Sequence, residues 1–408
     1  MAPSFINTHT LIRDYFLLDP SALLKRNEVL RLIIEQGPVL YIPEIEVYTI
    51  SGQKAIREVI RNPHTFSSRH VTGHRVSRNY RVGLLNADPP THTERKLWAS
   101  KSFSQSHLKQ RESHIQELVN TLIREFHDKG EFDLINDFAN PITVNLTLAI
   151  LGIPLTYFNK FQYWAIAHAA PVGNPNLSPK AQTKLIIEFI EFERFLIQLI
   201  ETDQLENGLI KDLVQKMEDP NTEFTLKELV LMSHQILTAG TETTAKFLLS
   251  IFENLLENPQ TYLEIQQNHA LIPTLIEEVL RYKPPTHGMF RTATQETEIL
   301  GYKIPKDAML LLMYSSVGVD EEKVKCPFHF DLHRKSANHH LAFGSGIHYC
   351  LGAQLAKILA NIVVTSLISQ FQHMRISPNQ ILEAHPSYVF YGYKKFLIQF
   401  DPISKKSK

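Results

Sequence analysis

One stretch near the C-terminus of the 408-residue chain carries the strongest signal in the sequence. It reads Phe343-Gly344-Ser345-Gly346-Ile347-His348-Tyr349-Cys350-Leu351-Gly352-Ala353. Gly344 and Gly346 permit a tight turn whose backbone amides can point toward the Cys350 sulfur. A helical pattern begins directly after the cysteine, and the free amides and dipole of a helix N-terminus favour a thiolate. A single thiolate held in this way suits one axial bond to a haem iron.

This stretch resembles the haem-binding loop of the cytochrome P450 family, in which the cysteine is the iron ligand. The resemblance implies that Cys350 binds the metal and that Phe343, Gly344, His348 and Gly352 belong to the binding site for haem b. His348 can reach a negatively charged group at the haem edge. The alternative is a buried, inert cysteine after a glycine turn. The length of the matched pattern favours the functional interpretation.

The bulk composition is that of an ordinary soluble globular protein. The 42 Lys and Arg residues balance the 42 Asp and Glu residues, so no overall basic charge points to nucleic acid or to a membrane surface. The two cysteines, Cys326 and Cys350, exclude a disulfide framework and fit a reducing compartment. The N-terminal region shows no signal-peptide pattern, and its apolar run is too short to span a bilayer. We therefore expect a cytoplasmic protein with no membrane anchor and no nucleic-acid partner.

Hydrophobic periodicity predicts a mostly helical chain. Helices are expected over residues 21–36, 53–61, 108–127, 139–152, 155–169, 180–203, 225–258 and from Cys350 to about 369. Short β-like runs at 39–42 and 47–50 predict a hairpin. Two breaks in the pattern, residues 62–88 and 171–179, correspond in the family to segments that cover the substrate. For the second break, an ordinary surface connection is an equal alternative.

Three basic side chains are candidates for binding an acidic cofactor. A helix that opens after Pro89-Pro90 carries His92 and Lys96 four residues apart on one face, although an exposed basic face is the alternative. Arg291 lies in a β-like run. The resemblance implies that all three bind haem propionates. Lys96 departs from the family's arginine, since lysine keeps the charge but loses the bidentate fork, whereas Arg291 retains bidentate anion recognition.

The longest helical pattern, residues 225–258, opens with a capping box at Thr225 and Glu228. Its middle reads Ala239-Gly240-Thr241-Glu242-Thr243-Thr244, a poor composition for a helix centre. We expect these residues to open a groove where the backbone ladder loosens. The alternative is a packing glycine with helix-bonded threonines.

The same stretch resembles the family's oxygen-binding groove. On that match Ala239 and Gly240 line the haem site, Thr243 donates hydrogen bonds to dioxygen and Glu242 feeds protons from solvent.

Glu278 and Arg281 stand three apart on a helical pattern and can therefore pair. The spacing alone is a weak signal, because many surface helices contain it. In the family this pair is buried and fixes the core near the haem, and Arg334 corresponds to its third partner.

The predicted substrate pocket is apolar. Residues 286–289 precede the Arg291 strand and should line the pocket, with Met289 as a contact. By analogy with the family, Val389 and Phe390 at the tip of a C-terminal β-like turn point into it, although core strand residues are an equal alternative. These segments predict a medium-sized hydrophobic organic substrate.

The resemblance extends over most of the chain and implies a mainly α fold with a small β region, the cytochrome P450 fold, as one domain over residues 1–408. It implies monooxygenation with O2. No GxGxxG fingerprint is visible, so electrons are expected from a ferredoxin or flavodoxin with an NAD(P)H-dependent reductase, docked above Cys350 near cations such as Lys357. The alternatives are a peroxide-driven peroxygenase and a haem-binding sensor or carrier.

Overall fold

Helices dominate residues 8–72 and 82–402, the part of the chain that the computed structural model describes. The helices are α1 (Thr8–Phe16), α2 (Pro20–Leu23), α3 (Arg26–Glu35), α4 (Gln53–Ile60), α5 (Thr91–Ser100), α6 (Gln105–Phe126), α7 (Asn140–Leu151), α8 (Phe158–Ala169), α9 (Pro179–Glu201), α10 (Leu209–Met217), α11 (Leu226–Glu257), α12 (Pro259–Gln267), α13 (Ile272–Tyr282), α14 (Ser315–Gly318) and α15 (Ala353–Gln370). A mainly α-helical fold is therefore confirmed.

The strands form a small β region. They are β1 (Val39–Ile42), β2 (Val47–Ile50), β3 (Phe66–Ser67), β4 (Glu131–Asp133), β5 (Met289–Ala293), β6 (Thr297–Ile299), β7 (Tyr302–Ile304), β8 (Met309–Leu312), β9 (Phe371–Ile376) and β10 (Leu397–Pro402). The largest sheet has the order β1-β2-β8-β5-β3, with β2 and β8 parallel and the other neighbours antiparallel. The predicted β1–β2 hairpin is confirmed, and β5 places Arg291 opposite Leu310 of β8.

The predicted helix over residues 21–36 is interrupted. Asp19 caps the short helix α2, and Pro20 occupies its first turn. Lys25 then adopts φ −97° and ψ 30°, outside helical geometry, and α3 begins at the buried Arg26. Helix α1 was not predicted at all, because its few apolar residues stand among charges.

The centre of the fold is α11, a single helix of 32 residues and about 48 Å. Its capping box is confirmed: the Thr225 side chain accepts from the Glu228 amide, and the Glu228 carboxylate accepts from the Thr225 amide. The C-terminal half buries Phe247, Leu248 and Phe252 in a core shared with α6, α13 and α15. Apolar burial of this kind stabilises a long helix far more than its intrinsic propensity does.

The predicted Glu278–Arg281 pair is confirmed and is fully buried in α13. Two parallel bonds of 2.7 Å join the guanidinium to the carboxylate. Arg281 also donates to the carbonyl oxygens of Gly318 and Pro327 at 2.7 and 2.8 Å, and Arg334 donates to Glu278 at 3.1 Å. The pair therefore fixes α13 to the chain segments that lead toward Cys350.

The two flanks of residues 73–81 are attached to the core. On one side the Val71 carbonyl oxygen accepts from the Phe290 amide of β5 at 3.2 Å. On the other side Arg95 of α5 donates to the Gly83 carbonyl oxygen at 2.9 Å and pairs with Glu228 at 2.6 Å. The middle of the predicted substrate-covering segment, residues 73–81, lies outside the described residues.

Two helical segments are long and apolar enough to cross a membrane by length and composition alone: Leu134–Leu151 and Ala353–Gln370. Buried residues make up 67% and 50% of them. Core helices of globular proteins meet the same criterion, so these segments are only a weak indication of a membrane span.

Candidate functional site

A cavity of about 340 Å³ lies between the middle of α11 and the loop that carries Cys350. Most of the predicted site residues line it: His92, Lys96, Ala239, Gly240, Thr243, Met289, Arg291, Phe343, Gly344, His348, Cys350, Gly352 and Phe390. Residues from five separate parts of the sequence are thus brought around one space by the packing of α5, α11, β5, the cysteine loop and the C-terminal turn that carries Phe390.

The cysteine loop has the predicted turn. Gly344 and Gly346 both have φ +68°, a left-handed conformation that favours glycine. A Cβ atom on Gly346 would also meet Ile60 Cγ2 at 2.7 Å. The Cys350 amide then donates to the Phe343 carbonyl oxygen at 2.9 Å, which closes the loop.

The Cys350 side chain lies in the interior of the protein but lines the cavity, so its surface is accessible from within that cavity. Burial raises the pKa of the Cys350 thiol. The amides of Gly352 and Ala353 and the charge of Lys96 act in the opposite direction. An iron ion would add the positive charge that holds a coordinating thiol in its deprotonated form.

Positive and unsatisfied groups surround the same end of the cavity. Arg291 is buried and donates to the Phe290 carbonyl oxygen, and no ion pair joins it to a carboxylate among the described residues. His92 Nδ1 is also buried and has no hydrogen-bond partner among the described residues. A buried guanidinium that lacks a counter-charge is costly. A thiol, an unpaired arginine and an open imidazole nitrogen together fit an iron porphyrin with acidic edge groups.

The rings of His92 and His348 are in contact, with centroids 3.9 Å apart and planes inclined by 46°. Burial, together with the charges of Arg291, His92 and Lys96, lowers the pKa of His348 to about 2. Burial and Lys96 lower the pKa of His92 to about 4. Both rings are therefore neutral at pH 7, while the local positive charge resides on Arg291 and Lys96 and favours an anion.

Lys96 makes contacts that the sequence did not indicate. Its ammonium group donates to the carbonyl oxygens of Ile347 and Tyr349 at 2.5 and 2.8 Å. Lys96 therefore joins α5 to the two residues of the cysteine loop that flank His348 in the sequence. The alternative of an exposed basic face does not hold for Lys96 or for Arg95, which is buried.

The predicted loosening of α11 is wrong for this structure, because the helix is continuous through residues 239–244. Thr243 Oγ1 donates to the Ala239 carbonyl oxygen at 2.6 Å and Thr241 Oγ1 to Leu237 at 2.9 Å. A Cβ atom on Gly240 would meet Thr147 Oγ1 of α7 at 3.0 Å. The threonines are thus bonded to their own helix, and Gly240 keeps α7 and α11 close.

Glu242 lies behind the cavity and does not line it. Its side chain is buried, pairs with Lys246 Nζ at 2.9 Å and stands 3.6 Å from His385 Nε2. Burial alone would raise the pKa of Glu242, but the charges of Lys246 and His385 and the bond from Lys246 outweigh it and lower the pKa. The carboxylate is therefore ionised at neutral pH and held by a cation, not open to solvent as expected.

Replacing Lys246 with Met should raise the pKa of Glu242, because burial then becomes the dominant influence. Because the pKa of Glu242 is lower in the folded than in the unfolded protein, its ionised carboxylate stabilises the folded state at pH values above the unfolded-state pKa. This stabilisation is lost as the pH falls through the folded-state pKa. In the variant the carboxyl should protonate at higher pH. Infrared titration of the protonated carboxyl band, with Glu242→Gln to assign it, measures the shift. Lys54→Met, at an exposed pair with Glu322, is the control; an unchanged band in Lys246→Met would contradict the prediction.

One prediction about a pocket side chain is wrong. Val389 packs at 0% exposure in the core with Tyr15 and Phe16 instead of lining the cavity, while the adjacent Phe390 does line it. Val389 also packs against Gly173, where an added Cβ atom would meet Val389 Cβ at 2.8 Å. The docking of a redox partner near Lys357 stays a prediction; Lys357 pairs with Glu277 at 2.5 Å, which offsets its charge.

The sequence missed several cavity residues. Helix α7 contributes Thr143, Leu146, Thr147 and Ile150. Helix α8 contributes His168, which lies at the start of a predicted pocket segment, residues 168–180; its bond to His234 of α11 was not predicted. No local pattern marks these positions, because they meet only when α7 and α8 pack across α11.

Comparisons with known proteins agree with this geometry. The family model for Cytochrome P450 matches residues 180–391. YjiB of Bacillus subtilis (strain 168), a cytochrome P450 homologue, is 32% identical over 372 residues, covering 90% of this chain and 91% of that protein.

Solved structures show the same similarity. The P450 heme domain of Tepidiphilus thermophilus has a TM-score of 0.87 and 26% identity, covering 95% of this chain and 97% of that one. CYP109E1 from Bacillus megaterium in complex with testosterone has a TM-score of 0.84 and 28% identity, covering 92% and 99%. The similarity extends over most of the length of each chain.

Proposed function

The chain belongs to the cytochrome P450 family, and we propose that it inserts one oxygen atom from O2 into a hydrophobic small molecule, using two electrons from an external redox partner. Members of this family are monooxygenases that bind haem b. The observation that carries the proposal is the placement of Cys350 and Thr243 on the lining of one largely apolar cavity. A thiolate ligand and an alcohol beside the same space suit oxygen activation.

The residues that would hold haem b are those around the cysteine loop. Cys350 would ligate the iron, while Arg291, His92 and Lys96 would meet the acidic edge groups. Haem so ligated supplies oxygen activation, with the thiolate favouring O–O cleavage. Phe343, Gly344, His348 and Gly352 shape the loop, and Ala239 and Gly240 supply the small surface opposite it.

Proton transfer is assigned to two side chains of α11. Thr243 can hold a proton on a hydroxyl that lines the cavity, and its bond to Ala239 orients that hydroxyl. Glu242, one residue earlier, is an ionised acid held by Lys246. Protons would pass to Glu242 when its contact with Lys246 opens, and from there toward Thr243.

The substrate and partners follow from the same cavity. Met289 and Phe390 contribute apolar surface, and a structural neighbour crystallised with testosterone supports a medium-sized hydrophobic ligand. A ferredoxin or flavodoxin with its NAD(P)H-dependent reductase is the proposed electron source. We place the protein in the cytoplasm and treat residues 1–408 as one cytochrome P450 domain.

Oxygen labelling tests the proposal. A compound that shifts the haem spin state is turned over with NADPH and a surrogate ferredoxin system under ¹⁸O2. The parent should place one ¹⁸O atom in the product. In Thr243→Val, the amount of product formed per NADPH oxidised should fall roughly 10- to 100-fold. This lies at or below the lower end of the range for general acid–base catalysis, because a water molecule can partly replace the hydroxyl.

Thr241→Val is the matched control, since Thr241 is also bonded to its own helix but does not line the cavity. It should leave the coupling of NADPH oxidation to product unchanged. Turnover with hydrogen peroxide alone and none with the ferredoxin system would favour the peroxygenase instead. The absence of turnover with either would favour a haem sensor or carrier.

A further inference from the structure

Two histidines meet in the cavity wall formed by α8 and α11. His234 Nε2 and His168 Nδ1 are 2.8 Å apart, a hydrogen bond between the rings. Phe189 and Phe192 of α9 pack against His234, with ring centroids 5.0 and 5.3 Å away. The pair is thus held on one side by aromatic rings and lines the cavity on the other.

Each ring uses one nitrogen for this bond, and His168 has one left over. His168 is 9% exposed, and its Nε2 atom is buried with no partner within residues 8–72 and 82–402. A buried imidazole nitrogen without a partner is costly, so the position favours a ligand group that can bond to it. His168 lines the cavity although its Nε2 atom is buried, so a bound ligand can supply that group once the ring turns toward the cavity.

Thr238 offers a second unsatisfied atom on the same wall. It lies four residues after His234, on the same face of α11. A helical threonine commonly donates to the carbonyl oxygen four residues before it, as Thr241 and Thr243 do. Thr238 Oγ1 is instead buried without a partner in the described chain and lines the cavity.

The two rings carry no charge at neutral pH. Burial lowers the pKa of His168 to about 4, and burial together with His168 lowers the pKa of His234 to about 3. Among the described residues, the lining side chains from α8 and from α11 up to Thr238 are all uncharged. This wall therefore suits a neutral polar group better than a carboxylate or an amine.

The hydrogen bond between the rings leaves His168 Nε2 as a donor or as an acceptor, depending on which ring gives the proton. A hydroxyl group satisfies either case, because it can accept and donate. His234 stands six residues before Gly240, about 9 Å along the helix axis. A ligand held at His168 would thus extend its apolar body from this wall toward Gly240 and Thr243.

We propose that His168 Nε2, with Thr238 Oγ1 on the same cavity wall, anchors a hydroxyl group of an otherwise apolar substrate, at the end of the molecule away from the reacting carbon. This assignment rests on the proposed monooxygenase function, because it takes the neighbourhood of Thr243 as the reacting end. It makes His168 a specificity-determining residue and names the substrate class as an apolar alcohol.

Binding of cyclododecanol and cyclododecane tests the proposal, because the two probes share one ring and differ by one hydroxyl. Their Kd values are measured on the haem-loaded protein by spin-state shift and, independently of the iron, by calorimetry. The ratio of the Kd for cyclododecanol to the Kd for cyclododecane should be about 10-fold higher in His168→Leu than in the parent, because only the alcohol loses a hydrogen bond. His168→Gln keeps a polar group and should restore most of the parent ratio.

Phe390→Leu is the control, since Phe390 lines the cavity without a polar side-chain atom. It should change both Kd values and leave their ratio within about twofold, the scatter expected of independent sites. An equally small change in His168→Leu would overturn the assignment. If the ratio responds to His168 while the parent lacks a thiolate-type carbon monoxide spectrum, the anchor stands and the monooxygenase proposal fails. If the parent gives a thiolate-type spectrum while the ratio does not respond to His168, the anchor fails and the monooxygenase proposal stands.

Discussion

Replacing Cys350 with Ser should abolish the strongly red-shifted Soret band that thiolate-ligated haem gives with carbon monoxide, and monooxygenase turnover should fall below detection. The side chain faces the cavity at the start of α15, and a serine hydroxyl there does not supply the electron density of a thiolate. The reduced, carbon monoxide-treated difference spectrum of parent and variant measures the effect. Retained far-ultraviolet circular dichroism shows that the variant still folds.

Cys326→Ser is the matched control for this change. Cys326 is the second cysteine of the chain, is exposed and lies outside the cavity lining. Its replacement should leave the spectrum and the turnover as in the parent. A histidine-type band in the parent protein, or a thiolate-type band that survives in Cys350→Ser, would contradict the assignment of Cys350 as the iron ligand.

Replacing Glu278 with Gln should lower the free energy of unfolding by about 3–5 kcal/mol, because it leaves the charge of Arg281 buried without a counter-charge. Both side chains have no exposed surface. The carboxylate also accepts from the Asp331 amide at 2.9 Å and from Arg334 at 3.1 Å, so the change weakens several bonds at once. Urea denaturation of the parent and the variant, followed by circular dichroism, measures the difference.

The adjacent residue provides the control. Glu277 is the same residue type on the same helix, but its side chain is 26% exposed and pairs with His340 and Lys357. Glu277→Gln should cost about 0–1 kcal/mol, as exposed pairs do. An equal decrease in the free energy of unfolding in Glu277→Gln and Glu278→Gln would contradict the prediction that burial makes the Glu278 pair the more stabilising one. If Glu278→Gln does not accumulate as folded protein, Arg334→Gln should show a smaller, measurable loss: it removes the bond to Glu278 and the bonds to the carbonyl oxygens of Lys325, Cys326 and His329, but Arg281 keeps its counter-charge.

The parts of the fold that were predictable have local causes. The capping box at Thr225 fixes the start of α11, and the spacing of Glu278 and Arg281 places both on one helix face. The glycines of the cysteine loop are required by its positive φ angles. Each of these signals lies within a few residues, so the sequence alone contains it.

The parts that were missed depend on contacts between distant segments. His168 and His234 are 66 residues apart and meet because α8 packs on α11. Lys96 bonds to carbonyl oxygens about 250 residues away, and no sequence pattern distinguishes this contact from an exposed basic face. Val389 and Phe390 are neighbours in the sequence, but Val389 packs into the core with Tyr15 and Phe16 while Phe390 reaches the cavity, a difference set by distant segments.

Both flanks of residues 73–81, the middle of the predicted substrate-covering segment, are attached to the core. Changes in this segment therefore need not move the residues proposed to carry out the reaction. Val71 is held by β5 and Gly83 by Arg95, while Thr72 and Leu84, next to these anchors, line the cavity. The sequence predicts a break in the helical pattern between these anchors, and each doubling of a loop's length adds only about 0.6 kcal/mol to its closure cost, so insertions there are expected to be inexpensive for folding. Natural selection or a protein engineer can therefore exchange this segment as a cassette while Cys350, Thr243 and the Glu278–Arg281 pair stay in place.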